Sequence, residues 1–195
     1  TFLLYEISPD DGGENANNLI LSLRPWKSMS QSMLKKFTQA VDAAIEKWGF
    51  NLTFLPFQRD GQNDAHLMNT IFEQSKKKEH IFISEWTSDL PNIFKKIRSA
   101  RALLGMRFHA NLFALMHETP FAVMPYASKG SALVNDNNFL SLSFGEAVDT
   151  PLFLKKLEIL LESDCRESQE LASKNMVRRS LKHLESLYER IGIIK

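Results

Sequence analysis

Apolar positions along this chain follow two alternating patterns. The runs Leu19-Ile20-Leu21-Ser22-Leu23, Asn51 to Phe57, Ile81-Phe82-Ile83-Ser84, Leu103-Leu104-Gly105-Met106 and Phe121 to Met124 are short and nearly continuous. That is how strands buried on both faces read. Between them, apolar residues recur every three or four positions, as along one face of a helix. Met33, Leu34, Phe37, Ala40, Val41, Ala44, Ile45 and Trp48 form the longest such face, with Gly49 closing it and Ser28 with Gln31 fitting a capping box at its start. Shorter helices are predicted from Asp64 onward, over Leu90 to Ile97, and over Phe108 to Met116. Alternation in Phe139 to Phe144 predicts a sixth, edge-like strand. Thr150-Pro151 suits a helix start, since proline fits the first helical position, and Leu152, Leu154, Leu157, Leu160 and Leu161 are expected on its buried side. From about Glu167 to Arg190 the chain reads as helical throughout. The alternation predicts one doubly wound α/β domain over residues 19–195, with a mostly parallel, Rossmann-like sheet and helices on both faces. Residues 1–18, rich in turn formers and without apolar period, are expected to be an irregular lead-in or linker.

Composition narrows what such a domain can do. With 195 residues, 44% hydrophobic and 24% charged, the chain suits one soluble core. A net charge of +1 gives no global attraction to nucleic acid or an anionic membrane, so any affinity for anions must be local. Lys76-Lys77-Lys78 reads as a solvated helix end that complements the dipole, because no aromatic residues interleave with it as in a nucleic-acid groove. The lone Cys165 cannot form an internal disulfide, which favours a reducing cytoplasm. No apolar run approaches the roughly 18 residues of a membrane span, and the opening does not read as a signal peptide. The first residue is Thr1 rather than Met, as expected of a piece excised from a longer protein.

Glycine-loop cofactor motifs are missing: there is no G-x-G-x-x-G, G-x-x-x-x-G-K-[ST] or G-x-S-x-G. The five histidines lack ligand spacing, so no metal is expected. The chemistry concentrates between Arg98 and Lys129, which reads as strand, helix, strand. Arg107 and His109 fall where the first strand turns into the helix, and Lys129 falls just beyond the second strand. In an open parallel sheet both places share the carboxyl rim, where helix N-termini offer free N–H groups to anions. Arg107, between Met106 and Phe108, is costly to bury without an anionic partner. His109 also admits a purely structural reading, Arg24 that of a solvated strand end, and Trp26 that of core or interface packing.

Several elements carry a family resemblance. Ser22-Leu23-Arg24-Pro25-Trp26, Leu55-Pro56-Phe57 followed by Asp64, Gly105-Met106-Arg107-Phe108-His109-Ala110, and Pro120 through Pro125-Tyr126 to Lys129 resemble, in order and spacing, the polysaccharide pyruvyl transferase family. The resemblance runs from about Leu19 to Gly145 and looks like the C-terminal half of a glycosyltransferase-B-type fold. It implies transfer of pyruvyl from phosphoenolpyruvate to a saccharide acceptor as a ketal, with no cofactor. It further implies that His109 is the general acid and that Arg24, Arg107 and Lys129 bind the donor's carboxylate and phosphate. A separate N-terminal domain would complete the enzyme, in the cytoplasm near the inner face of the membrane. Two other classes stay open: a nucleotide-sugar-binding glycosyltransferase domain, and a non-catalytic α/β binding module.

Overall fold

Five parallel strands form the central sheet: β1 (Asn18–Ser22), β2 (Asn51–Phe54), β3 (Ile81–Ile83), β4 (Ala102–Gly105) and β5 (Phe121–Val123), in the spatial order β3-β2-β1-β4-β5. The computed structural model describes residues 17–26, 29–59, 64–126, 134–135, 139–144, 148–162 and 174. Helices α1 (Gln31–Trp48), α2 (Asp64–Gln74), α3 (Leu90–Arg98), α4 (Phe108–Met116) and α5 (Thr150–Glu162) cover both faces of the sheet. Leu19, Leu21, Leu52, Phe54, Ala102 and Leu104 face α1, α2 and α5, while Ile20, Leu103, Phe121 and Val123 face α3 and α4. Cover on both sides is why the strands are apolar without alternation.

Local sequence sets the ends of α1. The Ser30 hydroxyl accepts from the Met33 N–H at 3.1 Å, and Gly49, at φ 64°, sits in the left-handed region and donates its N–H to the Ile45 carbonyl. The cap is thus Ser30, two residues later than expected; Ser28 lies outside the described residues. β2 stops at Phe54, before Pro56, which has no N–H for a ladder. The lysine run begins beyond the end of α2, where Lys77 pairs with Glu46 and Lys78 with Glu73 at 2.7 Å.

Two expectations need correction. Phe139 to Phe144 is not a strand: it makes one isolated parallel bridge, Ser141 to Val123, so alternation there marks a segment laid along the β5 edge. On α5 the buried residues are Phe153, Leu157 and Leu160, while Leu152 is exposed. Phe153, edge-on to Phe37 of α1 at 6.0 Å, aims that face, and Leu152 lies about 100° round the helix from it. The readings made for residues 1–16, for Cys165 and for the Glu167 to Arg190 helix lie outside the described residues. No described helix is long and apolar enough to cross a membrane.

Candidate active site

The strand order places a switch point between β1 and β4: the chain leaves β1 toward β2 and leaves β4 toward β5, on opposite sides. Ser22 and Gly105 are register partners there. Arg24 and Arg107 each follow two residues later, so both emerge on the carboxyl rim beside that crevice.

Helix α4 begins directly at this rim. It can come down on the end of β4 because residue 105 is glycine: a Cβ there would overlap the Asn111 amide oxygen and stand 2.9 Å from Leu103 Cδ2. The Asn111 Nδ2 donates to the Gly105 carbonyl at 3.0 Å and locks the approach. Arg107 is the N-cap and no side chain caps the helix, which leaves the first-turn N–H groups facing the crevice. Beneath them, Ser22 Oγ and Asn111 Oδ1 are buried without a hydrogen-bond partner among the described residues.

The anionic partner that Arg107 requires is Asp64, the first residue of α2. Asp64 is 0% exposed. Its Oδ2 accepts from the Phe57 N–H at 3.0 Å, the Gln58 N–H at 3.1 Å and Arg107 Nε at 3.2 Å, and its Oδ1 accepts from Arg107 Nη2. Nη2 also donates to Gln58 Oε1 at 2.9 Å, and the Arg107 side chain is 13% exposed. The pair therefore ties the loop after β2 to the turn after β4. Nη1 of Arg107 makes no hydrogen bond to the described residues.

Arg24 is exposed and reaches the other way, donating from Nη1 to the Tyr126 hydroxyl at 2.8 Å, with its guanidinium 5.5 Å from that ring's centroid. Tyr126 stacks on half-buried Trp26 at 6.0 Å, and Trp26 meets Phe144 at 5.3 Å, so Trp26 is a packing residue. His109 is exposed on the first turn of α4, its ring 6.2 Å from that of Phe113. Arg24, Arg107 and His109 thus share one rim, with the two guanidinium groups diverging around the head of α4. Lys129 lies outside the described residues. Asp64 and Tyr126 stand in the motifs quoted above, yet their bonding to the arginines had no sequence signal, and neither did that of Gln58. Among the described residues no group of His, Cys, Asp and Glu could hold a metal ion.

The sequence profile of the polysaccharide pyruvyl transferase family matches residues 1–128, a span that takes in Arg24, Asp64, Arg107 and His109. The chain belongs to this family. No curated protein matches the sequence. Solved structures share the fold of this pyruvyl transferase family member. UDP-GlcNAc 2-epimerase from Methanocaldococcus jannaschii superposes with a TM-score of 0.60 at 14% identity, over 85% of this chain and 47% of that one. The pneumococcal O-GlcNAc transferase GtfA, in complex with UDP and GlcNAc, gives 0.60 at 13% identity, over 92% and 36%. TarM of S. aureus gives 0.59 at 9% identity, over 89% and 35%. The fold is the Rossmann-like α/β unit of glycosyltransferase-B-type proteins, and the chain spans less than half the length of each of these three.

Proposed function

We propose that this chain is the donor-binding part of an enzyme that transfers pyruvyl from phosphoenolpyruvate to a saccharide of a polysaccharide or its precursor. The observation that carries the reading is the uncapped N-terminus of α4 at the switch point, flanked by Arg24 and Arg107, in a chain of this family. The donor bears a carboxylate and a phosphate. Helix N–H groups and guanidinium forks bind both through charge-assisted hydrogen bonds. In this scheme Arg24 brings a full positive charge. Arg107, largely neutralised by Asp64, brings a fixed direction and its Nη1. Lys129 adds a further cation for the phosphate.

His109 is the proposed general acid. It protonates the methylene carbon of the donor, the neighbouring carbon becomes cationic, and a sugar hydroxyl adds there while returning its proton to the histidine. A second hydroxyl then displaces phosphate, which carries away the second proton, and the ketal closes. The groove for the acceptor sugar that reacts is assigned to a further domain, and the location to the cytoplasm, where this donor is made.

Thermal melting of the chain tests the donor. Phosphoenolpyruvate at a hundredfold excess over its Kd should stabilise by about 2.7 kcal/mol through mass action. Arg24→Ala should remove most of that shift without unfolding the domain, because Arg24 is exposed. Stabilisation by uridine diphosphate and none by phosphoenolpyruvate would replace this reading with a nucleotide-sugar site. In an assembly with both halves, His109→Gln should lower turnover about 10²-fold or more while donor affinity changes much less.

A further inference from the structure

We propose a second ligand site on the same rim: a cavity at the carboxyl ends of β2 and β3 that holds one neutral pyranose unit of the acceptor, beyond the sugar that reacts. The inference rests on the reading of the chain as part of a saccharide-modifying transferase. The cavity has a volume of about 230 Å³, opens to solvent, and is lined by Pro56, Arg59, Ala65, Ser84, Glu85 and Trp86. Pockets for drug-sized ligands run from about 300 to 1,000 Å³, so this one suits a single ring.

Its chemistry is that of a sugar site. Trp86 remains 38% exposed, a large apolar surface left in water beside the cavity. The Arg59 guanidinium lies 5.6 Å from the Trp86 ring centroid and holds the indole from one side. Ser84 is fixed in turn: its N–H donates to the Phe54 carbonyl at 2.9 Å and its hydroxyl accepts from Lys96 at 2.6 Å. Neither Arg59 nor Glu85 enters an ion pair with the described residues. A pyranose has an apolar C–H face, which matches the indole, and hydroxyls on its rim. Guanidinium and carboxylate grip those hydroxyls as donor and acceptor. Glu85 opposes a second anion, which separates this cavity from the donor site.

Position supports the assignment. Neighbouring strands stand about 4.8 Å apart, and β2 and β3 lie two and three places from β4. The cavity is therefore roughly 10–14 Å along the rim from the α4 N-terminus, a gap that a few linked sugars bridge. One loop joins the two places, since Gln58 is held by Arg107 and the next residue, Arg59, lines the cavity.

The test uses the full chain, without phosphoenolpyruvate. Neutral trisaccharides built from glucose, galactose, mannose or N-acetylglucosamine are titrated with saturation-transfer NMR and with the Trp86 indole N–H resonance as readouts, and uridine monophosphate serves as the competing probe. At least one saccharide should receive saturation on its ring C–H groups and shift the Trp86 signal. Trp86→Ala should weaken that binding about tenfold or more. Arg59→Ala, an exposed loop change that does not threaten folding, should weaken it too, while Arg24→Ala leaves it intact. Overturning results are no saccharide response, a response to uridine monophosphate alone, or saccharide binding unchanged in Arg59→Ala and Trp86→Ala. Saccharide binding in a chain that ignores phosphoenolpyruvate would keep this site and sink the donor assignment instead.

Discussion

Removing the Arg107 side chain probes the link on which the rim depends. Asp64 is fully buried, and Arg107→Ala would leave its carboxylate with the two backbone donors of Phe57 and Gln58 and no countercharge. Breaking a buried pair in this way costs about 3–5 kcal/mol, more than an exposed pair returns, because the stranded charge keeps its full desolvation penalty. For a domain of this size each kcal/mol moves the Tm by about 2–4 °C, so the expected loss is roughly 6–20 °C. Arg107→Lys should fall between, since an ammonium cannot reproduce the fork that meets both carboxylate oxygens. A double-mutant cycle with Asp64→Asn isolates the pair: once the carboxylate is gone, Arg107→Ala should cost at least about 2 kcal/mol less than it does alone. Urea unfolding of the four chains at fixed pH measures this. A melting temperature for Arg107→Ala within about a degree of the parent, or a coupling near zero, would refute the reasoning. The same cost is why the donor test uses Arg24→Ala: loss of a ligand-induced shift in Arg107→Ala would mean little if that variant is largely unfolded.

Two further predictions follow from the packing around α4. Gly105→Ala forces its Cβ into the Asn111 amide and should cost about 1–3 kcal/mol in urea unfolding; adding Asn111→Ala should recover part of the loss, and no recovery would mean that the clash lies elsewhere. His117, at the far end of α4, has both ring nitrogens buried and unpartnered among the described residues, and its pKa is lowered from the ordinary 6.5 first by burial and then by Arg98. The unfolded chain therefore takes up that proton first, so its contribution is full above about pH 6.5 and declines as the pH falls through 6.5 to the native value. His117→Phe should flatten that part of the stability profile, and an unchanged slope would show that His117 is not its source.

The sequence by itself determined the elements and their order. Continuous runs such as Leu19 to Leu23 and helical spacing such as Leu34 to Trp48 are local consequences of which faces meet the core, and local patterns survive in a linear reading. It also marked Arg107 and His109, because the switch between strand period and helix period locates the rim, whereas Arg24 was marked only by the family resemblance. Where a pattern was ambiguous the tertiary structure decided. Phe139 to Phe144 alternates like a strand, yet it makes a single isolated bridge to β5, Ser141 to Val123, through hydrogen bonds of Leu140 and Leu142 with Val123, too few for a ladder. Side-chain partners were decided in the same way. Arg107 finds Asp64 across 43 residues and Arg24 finds Tyr126 across 102, pairings that exist because β2, β1, β4 and β5 lie side by side. The Trp86 cavity too arises only where two loops from adjacent strands come together. Periodicity reports burial, which each residue carries in its own chemistry; partnership depends on strand order, which no single stretch of chain encodes.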